Sequence, residues 1–432
     1  MNLYPKFKIS RSLAALSLAL LLGGCIPAPA MLRGATPAPL TLATPTLATA
    51  TAVATPTSAP SPTLTPSPSA TFTPTVLAVL PSFELPKGPD LVLTGKNTEM
   101  KIFWQGEAGQ PYRLEWGVDA SYALGSADVA PTFPQENLYT ALIGGLKPGA
   151  RYLYRVTSGG KATGGSFFAP PPDDATTLKF IAYGDTRTQP EMHDAVAAEV
   201  VRLFESDPAY QTLNPMTGDF VNSGDVPEDW DKQLFSPAFK NIRAEFANLA
   251  VTPVIGNHEG GGQLFTRYFP MPFVADRYWS FDYGPVHFAM LDQYVDYGKG
   301  SAEYDWLQKD LAATHKPWKI LVLHEPGWSA GGGHDNNFAV QNDIQPLLKQ
   351  YGVQIVLGGH NHYYARAVVD GIQHLTVGTG GAPLYTPFPD FPNLVFSRQS
   401  TGYLRVEIDG PRLRGAFIDP QGNAIDNFTL SN

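Results

Sequence analysis

The sequence predicts a layered α/β sandwich that follows a small all-β sandwich domain and a disordered tether. Three observations predict this order. Residues 25–86 are rich in Thr, Pro, Ala and Ser, residues 87–172 contain short strand-like runs between turns, and apolar strands alternate with helices over residues 173–432. The chain has 432 residues, more than one hydrophobic core usually serves, so two folded domains are expected.

Residues 1–24 have the pattern of an export signal. Three basic residues precede the apolar run 13–22, which is too short to span a bilayer. The run leads to Leu22-Gly23-Gly24-Cys25, which resembles the lipobox of bacterial lipoproteins. That resemblance implies cleavage before Cys25 and attachment of lipid to Cys25; an ordinary signal peptide is the alternative. We therefore expect an extracytoplasmic protein with a lipid anchor in the bacterial cell membrane.

Composition restricts what the rest of the chain can do. Residues 25–86 bury too little apolar surface to offset the entropy of ordering, so this segment is predicted to be a tether. Cys25 is the only cysteine, which excludes an internal disulfide. The formal net charge of −9 makes nucleic acid a poor stable partner, because Lys and Arg supply most non-specific affinity for phosphate.

Residues 87–172 are predicted to form the small β-sandwich. Apolar or alternating runs such as 100–104 and 112–116 are separated by Gly, Pro and Asn. The segment 146–156, Leu-Lys-Pro-Gly-Ala-Arg-Tyr-Leu-Tyr-Arg-Val, resembles the turn and strand of a fibronectin type III-like module. A carbohydrate-binding face is the functional alternative to plain packing of the aromatic residues here.

The region 173–432 alternates between strands and helices. Apolar residues recur at helical spacing in 192–204, and further helices are predicted at 304–311 and 344–351. Five apolar runs each end in a polar cluster whose side chains can bind metal ions. These clusters are Gly184-Asp185-Thr186-Arg187, Gly224-Asp225 after the run 219–223, Gly256-Asn257-His258-Glu259, His324-Glu325-Pro326 and Gly358-Gly359-His360-Asn361-His362.

The shared position of these clusters favours a binding site. A Gly-Asp pair alone is usually only a turn, but ligands of open α/β sheets gather at the carboxyl ends of strands. His360 and His362 are two residues apart in an extended segment, so their rings can point to the same side. Carboxylate, carboxamide and imidazole donors together suit Mn, Fe or Zn better than Ca.

The order of the clusters resembles that of the calcineurin-like metallophosphoesterases. The segment Gly359-His360-Asn361-His362-Tyr363-Tyr364-Ala365-Arg366, together with the preceding β-module, is similar to the purple acid phosphatase branch. This resemblance implies the two-sheet metallophosphoesterase sandwich and a centre of two divalent or mixed-valence ions of Fe, Mn or Zn. The ligands that it implies are Asp185, Asp225, Asn257, His324, His360 and His362.

The resemblance also implies a role for each residue. Asp185 and His362 would bind the first ion. Asn257, His324 and His360 would bind the second ion, and Asp225 would bridge both ions. His258 would stabilise the transition state or protonate the leaving oxygen.

Two positions depart from the family pattern near the first ion. Arg187 stands where most members have a histidine; its planar guanidinium suits a phosphate oxygen, and an ion pair with a nearby carboxylate is the alternative. Purple acid phosphatases have a tyrosine three residues after the bridging aspartate. With Asp225 as the bridge, that position is Glu228, which is a possible extra metal ligand or else a solvated carboxylate. His193, near a helix amino terminus, and His334, in a glycine-rich loop, are candidate substrate contacts.

The function implied is that of a metal-dependent phosphoric ester hydrolase, in which hydroxide bridging the two ions attacks phosphorus. We expect a membrane-tethered, extracytoplasmic phosphomonoesterase similar to acid phosphatases, acting on a small phosphoester. A phosphodiesterase or nucleotidase would use the same site. A non-catalytic, surface-binding lipoprotein with a degenerate metal site is the third hypothesis.

Overall fold

The computed structural model describes residues 84–432. The predicted signal, the lipid-attachment residue Cys25 and nearly all of the predicted tether lie outside the described residues. The described residues fall within one compact unit. No helix between residues 84 and 432 combines the length and apolarity that crossing a membrane requires.

Residues 87–168 form an all-β part with two sheets. Its strands are β1 (Lys87–Val92), β2 (Met100–Gln105), β3 (Tyr112–Gly117), β4 (Gly125–Val129), β5 (Leu138–Ile143), β6 (Arg151–Ser158) and β7 (Lys161–Phe168). The sheets have the orders β1-β2-β5 and β4-β3-β6-β7. Alternate residues of β6 are buried, as expected for a strand with one face on a core. The predicted strand runs are confirmed, while the likeness to a fibronectin type III module stays a prediction.

The all-β part packs directly on the α/β part. The Tyr154 hydroxyl donates a hydrogen bond to the Ala247 carbonyl at 2.8 Å, and the Ser166 amide donates to Asn248 Oδ1 at 2.9 Å. One continuous set of buried apolar residues includes Trp104 and Tyr154 on one side and Phe246 on the other. The two parts therefore share a core.

The α/β part contains two larger sheets and a pair of short parallel strands. Its strands are β8 (Thr177–Ala182), β9 (Leu213–Asn214), β10 (Ala250–Val251), β11 (Trp279–Tyr283), β12 (Val286–Met290), β13 (Trp318–Val322), β14 (Ile355–Gly358), β15 (Tyr364–Val369), β16 (Ile372–Val377), β17 (Leu394–Arg398), β18 (Tyr403–Asp409), β19 (Arg412–Ile418) and β20 (Ala424–Ser431). The sheet orders are β11-β12-β13-β14-β16-β15-β17 and β20-β19-β18-β8, with β9 beside β10.

The helices cover the sheets as predicted. They are α1 (Pro190–Ser206), α2 (Pro227–Gln233), α3 (Lys240–Asn248), α4 (Gln263–Tyr268), α5 (Ala302–Ala313) and α6 (Gln345–Tyr351). The predicted helices at 192–204, 304–311 and 344–351 are confirmed by α1, α5 and α6. Strands β12, β13, β14 and β16 run parallel, so their carboxyl ends lie along one edge of the seven-stranded sheet.

One predicted strand is absent from the described structure. The run 219–223 forms turns, because the chain has already left its strand at Gly218, where φ is +90°. Phe220 and Val221 are fully buried, but they fill the core from a loop. The run's apolar character therefore reflects burial and not strand pairing.

Candidate metal centre

Three donor residues lie in turns with left-handed backbone. Asp185, Asp219 and His360 have φ values of 54°, 57° and 64°, and each of them follows a glycine. This conformation is costly for a residue with a Cβ and persists only where the surroundings enforce it, which is typical of functional sites. The strained turns therefore mark the edge at which a site is built.

One group of donors comes from four separate segments of the chain. Asn257 Oδ1 lies 3.0 Å from His324 Nε2 and 3.0 Å from His360 Nδ1, and the two ring nitrogens are 3.2 Å apart. Asp219 Oδ1 is 3.5 Å from His324 Nε2. These four side chains can bind one ion between them.

A second group lies on the other side of Asp219. Asp185 Oδ1 is 3.5 Å from His362 Nε2. Donor atoms of Asp185, Asp219 and His324 all lie within 4.8 Å of one another, and all three residues are buried. Asp219 therefore stands between the two groups, which is the position that a bridging carboxylate needs.

Backbone carbonyls hold the histidine rings in place. His324 Nδ1 donates to the Thr217 carbonyl at 2.6 Å, and His362 Nδ1 donates to the Pro383 carbonyl at 2.8 Å. Each bond uses one ring nitrogen as a donor and leaves Nε2 free to face the site, as in many metal-binding histidines.

A buried glutamate joins the turns that carry Asp219 and Asn257. Glu259 Oε2 accepts hydrogen bonds from the Asp219 and Gly256 amides at 2.9 and 2.7 Å, and Oε1 accepts from the Phe220 amide at 2.8 Å. Burial and the nearby Asp219 raise the pKa of Glu259 to about 8. Glu259 thus sets the position of Asp219 from outside the donor groups.

The electrostatics of the site suit a metal ion. Burial, and next the neighbouring Asp219, raise the pKa of Asp185 well above its ordinary value. Burial lowers the pKa of His360 to about 2, with His324 adding to the effect, and lowers that of His362 to about 4, so both rings are neutral and present lone pairs at pH 7.

An orphaned oxygen agrees with this fit. Asp185 Oδ2 is buried and has no hydrogen-bond partner among the described residues, a costly state for a carboxylate that a nearby cation relieves. Carboxylates, imidazoles and one carboxamide are donors suited to Fe, Mn or Zn. The residues present therefore fit the implied metals.

The structure corrects the choice of Asp225 as the bridge. Asp225 is exposed, and its carboxylate accepts the Gly261 amide at 3.0 Å. It is not among the donor atoms within 4.8 Å of one another, whereas Asp219 is. The physical reason is the early end of the strand: the turn that reaches the site begins at Gly218 and not at Gly224.

The same correction removes Glu228 from the centre. Glu228 is exposed in the first turn of α2. With Asp219 as the bridge, the position three residues later is Asn222, whose backbone carbonyl accepts His258 Nδ1 at 2.7 Å. The position of the family's tyrosine is therefore held by an exposed asparagine that orients His258.

His193 also lies away from any substrate. The apolar stripe of α1 faces inwards and carries His193 with it, so that the ring is fully buried between Tyr183 and Phe246. Its Nε2 is 3.0 Å from the Tyr183 hydroxyl. The expectation that His193 binds substrate is thus corrected.

Arg187 and His258 both approach Asp219. Arg187 Nε lies 3.2 Å from Asp219 Oδ2, and Arg187 Nη2 lies 3.4 Å from His362 Nε2. His258 Nε2 is 4.0 Å from the same Asp219 oxygen. Of the two roles open to Arg187, the structure shows the ion pair with a carboxylate, while the contact with a phosphate oxygen stays a prediction.

Two aromatic residues cover the metal-binding histidines. The His334 ring stacks on His360 with centroids 4.0 Å apart, and the Tyr385 ring stacks on His362 at 4.3 Å. Tyr385 OH is 3.4 Å from His334 Nε2. His334 therefore lies beside the site, and its contact with substrate stays a prediction. Tyr385 was not predicted, because it lies in a loop with no motif around it.

Comparison with known proteins agrees with this geometry. Residues 178–364 match the sequence model of the calcineurin-like phosphoesterase family. The chain is 27% identical over 326 residues to purple acid phosphatase 23 of Arabidopsis thaliana. The aligned region covers 64% of this chain and 70% of that protein.

Solved structures show the same fold. Purple acid phosphatase PPD1 from yellow lupin, Lupinus luteus, has a TM-score of 0.66 at 21% identity, covering 81% of this chain and 75% of that one. PhoD has a TM-score of 0.62 at 13% identity, and the match covers 81% of this chain and 90% of PhoD. The predicted two-sheet sandwich is confirmed, and the relatives together with the donor groups make the chain a metal-dependent phosphoric ester hydrolase.

Proposed function

We propose that the chain is a phosphomonoesterase similar to acid phosphatases, held outside the cell by lipid on Cys25. The observation that carries the catalytic part is the convergence of two donor groups on Asp219, with Arg187 and His258 beside the same carboxylate. The anchoring part is supported by the signal and lipobox pattern of the sequence alone.

The ligands in this proposal fall into two sets that share one residue. Asp185 and His362 hold one ion, Asn257 with His324 and His360 holds the other, and Asp219 is common to both. Bound ions supply Lewis-acid activation of the phosphoryl group and of the attacking water.

The remaining residues orient the substrate and manage charge. Arg187 can donate two hydrogen bonds to phosphoryl oxygens from a half-buried guanidinium, where such bonds are stronger than in water. His258 donates from Nδ1 to the Asn222 carbonyl, and its Nε2 lies 4.0 Å from Asp219 Oδ2, on the side from which it would pass a proton to the leaving oxygen. His334 and Tyr385 form a wall over His360 and His362.

The test is an assay of the full chain loaded in turn with Mn, Fe or Zn. We expect nitrophenyl phosphate to be hydrolysed with a higher kcat/KM than its bis-ester. A preference for the bis-ester would replace the monoesterase proposal with a phosphodiesterase. No turnover of either ester, with less than one ion per chain by elemental analysis, would contradict catalysis and favour a binding protein.

Anchoring is tested separately by fractionation of cells that express the chain. We expect the protein in the membrane fraction and Cys25→Ser in the soluble extracytoplasmic fraction. Wild-type protein that is equally soluble would contradict the lipid anchor without affecting the catalytic proposal.

A further inference from the structure

Asn361 lies between two candidate metal ligands but bonds to neither. Its side chain is fully buried. Its Oδ1 accepts the His334 amide at 2.7 Å, and its Nδ2 donates to Ser329 Oγ at 3.1 Å and to the His334 carbonyl at 3.3 Å. Every side-chain hydrogen bond described for Asn361 therefore goes to the loop 329–337.

That loop needs an external support to hold one conformation. It contains Gly331, Gly332 and Gly333 in succession and has no helix or strand of its own between 329 and 337. A glycine-rich segment loses more conformational entropy on ordering than other sequences do. His334 itself is exposed, so burial does not fix its ring.

Gly333, in the loop 329–337, lies close to the side chain of Asn361. A Cβ on Gly333 would overlap both Asn361 Oδ1 and the Tyr385 ring. The absence of a side chain at Gly333 therefore lets the His334 amide reach Asn361. The bonds place the His334 ring on His360, with centroids 4.0 Å apart and an interplanar angle of 25°.

We propose that Asn361 is a positioning residue, which holds His334 over the metal centre by fixing the backbone on both sides of that residue. The inference rests on the proposed function, with His334 taken as a contact for the phosphoester. If Asn361 only filled space, any side chain of similar size would serve. Its amide instead makes three hydrogen bonds, and all of them go to one loop. Asn361, in the bend between β14 and β15, thus joins the segment that carries His360 and His362 to the loop that carries His334.

A double-mutant cycle tests the proposal on the metal-loaded full chain. We expect His334→Ala and Asn361→Ala each to lower kcat/KM for nitrophenyl phosphate by about tenfold, mainly through KM, with unchanged metal content. The double variant should match His334→Ala alone. Additive losses of about a hundredfold, or a loss of metal in Asn361→Ala, would overturn the inference.

Asn248→Ala is the matched control. Asn248 is also buried and makes three side-chain hydrogen bonds, but these go to Ser166 and to the Ala244 carbonyl, away from the centre. We expect it to lower thermal stability and leave kcat/KM unchanged. An equal loss of kcat/KM in this control would show a general effect of losing a buried amide and would overturn the inference.

Gly333→Ala disturbs the contact between His334 and Asn361 by a change in the exposed loop. It therefore keeps the test valid if Asn361→Ala fails to fold. Its Cβ would displace the loop from Asn361, and we expect the same rise in KM as for Asn361→Ala. A wild-type KM in a folded Gly333→Ala would overturn the inference.

Hydrogen exchange separates this inference from the proposed function. We expect the amides of 329–337 to exchange at least about tenfold faster in Asn361→Ala, because the His334 amide loses its acceptor. If the metal-loaded wild type has no turnover, the proposed function fails, and the role of Asn361 is then decided by hydrogen exchange alone. Unchanged exchange in Asn361→Ala overturns the inference, and faster exchange supports it. If the enzyme is active but His334→Ala changes nothing, the inference falls while the hydrolase assignment stands.

Discussion

Asp219 is the residue at which the two donor groups meet. Its Oδ1 faces His324 at 3.5 Å, while its Oδ2 faces Arg187 at 3.2 Å. Although burial opposes ionisation, the nearby His324 and His258 lower the pKa of Asp219, so the carboxylate is charged at neutral pH. The Asp219 carboxylate is thus charged, buried and placed between the two donor groups, as a bridging ligand must be.

Replacing this carboxylate tests its role. We expect Asp219→Asn to lower kcat/KM for nitrophenyl phosphate by about a thousandfold, since it removes several kcal/mol of charge stabilisation, and to reduce the metal content. Asp225→Asn is the control, and it should leave both quantities unchanged. The reverse pattern, with Asp225→Asn inactive and Asp219→Asn active, would restore Asp225 as the bridge.

Arg187 makes a different prediction. We expect Arg187→Ala to lower kcat/KM by roughly 10- to 100-fold while metal content stays at the wild-type level, because a charge-assisted hydrogen bond is lost and no ligand is. Arg187→Lys should recover little of this loss, since an ammonium does not reproduce the planar fork. Full activity in Arg187→Ala would mean that the ion pair with Asp219 is its only role.

At the scale of elements, the sequence predicts the donors that follow apolar strands. Asp185, His324 and the His360–His362 pair all follow runs that form β8, β13 and β14, so hydrophobic pattern and motif agree there. Asp219 could not be placed this way, because its strand is the two-residue β9 and the apolar run lies after the aspartate. A glycine precedes Asp219, but one also precedes Asp225, so the Gly-Asp pair does not distinguish the two aspartates.

Long-range contacts explain the other differences. Tyr385 reaches His362 only because its loop returns over the sheet, and no local spacing encodes that return. His193 carried a functional hypothesis because it lies at a helix start, yet the inward stripe of α1 decides its burial. Tertiary packing overrides local pattern in both cases.

The β11–β12 hairpin is joined to α5 by a charged histidine. His287 Nδ1 and Nε2 lie 2.8 Å from Asp282 and 2.8 Å from Asp310. Although burial opposes the charge, these two hydrogen-bonded carboxylates raise the pKa of His287 to about 9. The ion pairs therefore stabilise the attachment of the hairpin to the helix.

This attachment should depend on pH. The folded pKa is above the unfolded value of about 6.5, so the stabilisation is fully present below pH 6.5 and is lost as the pH rises through about 9. We expect His287→Gln to lower the free energy of unfolding by roughly 1–3 kcal/mol at pH 6 and by much less at pH 10.

The measurement is denaturant unfolding at both pH values, with the exposed His315→Gln as the control. A loss in His287→Gln of the same size at pH 6 and pH 10 would show that packing, and not charge, supports the hairpin.

At the scale of the whole molecule, the all-β part and the α/β part unfold together in this account. Their shared core runs from Trp104 to Phe246, and Gln211 Nε2 donates to both the Ser166 carbonyl and the Asn248 carbonyl, at 2.7 and 3.0 Å. Separation would expose apolar surface on both sides at a cost of about 25 cal/mol per Å².

Shortening the chain tests this coupling. We expect a chain that begins at Glu84 to unfold in one cooperative transition and to keep wild-type kcat/KM. A chain that begins at Asp173 should aggregate or lack a cooperative transition in calorimetry, because it has lost half of a core. A cooperative, active 173–432 fragment would contradict the shared core.

The most direct test of the dinuclear site is anomalous diffraction from crystals of the chain grown with Mn or Zn. We expect two peaks, one among Asp219, Asn257, His324 and His360, and one among Asp185, Asp219 and His362. No peak at these residues, or a peak at Asp225 or Glu228 instead, would contradict it.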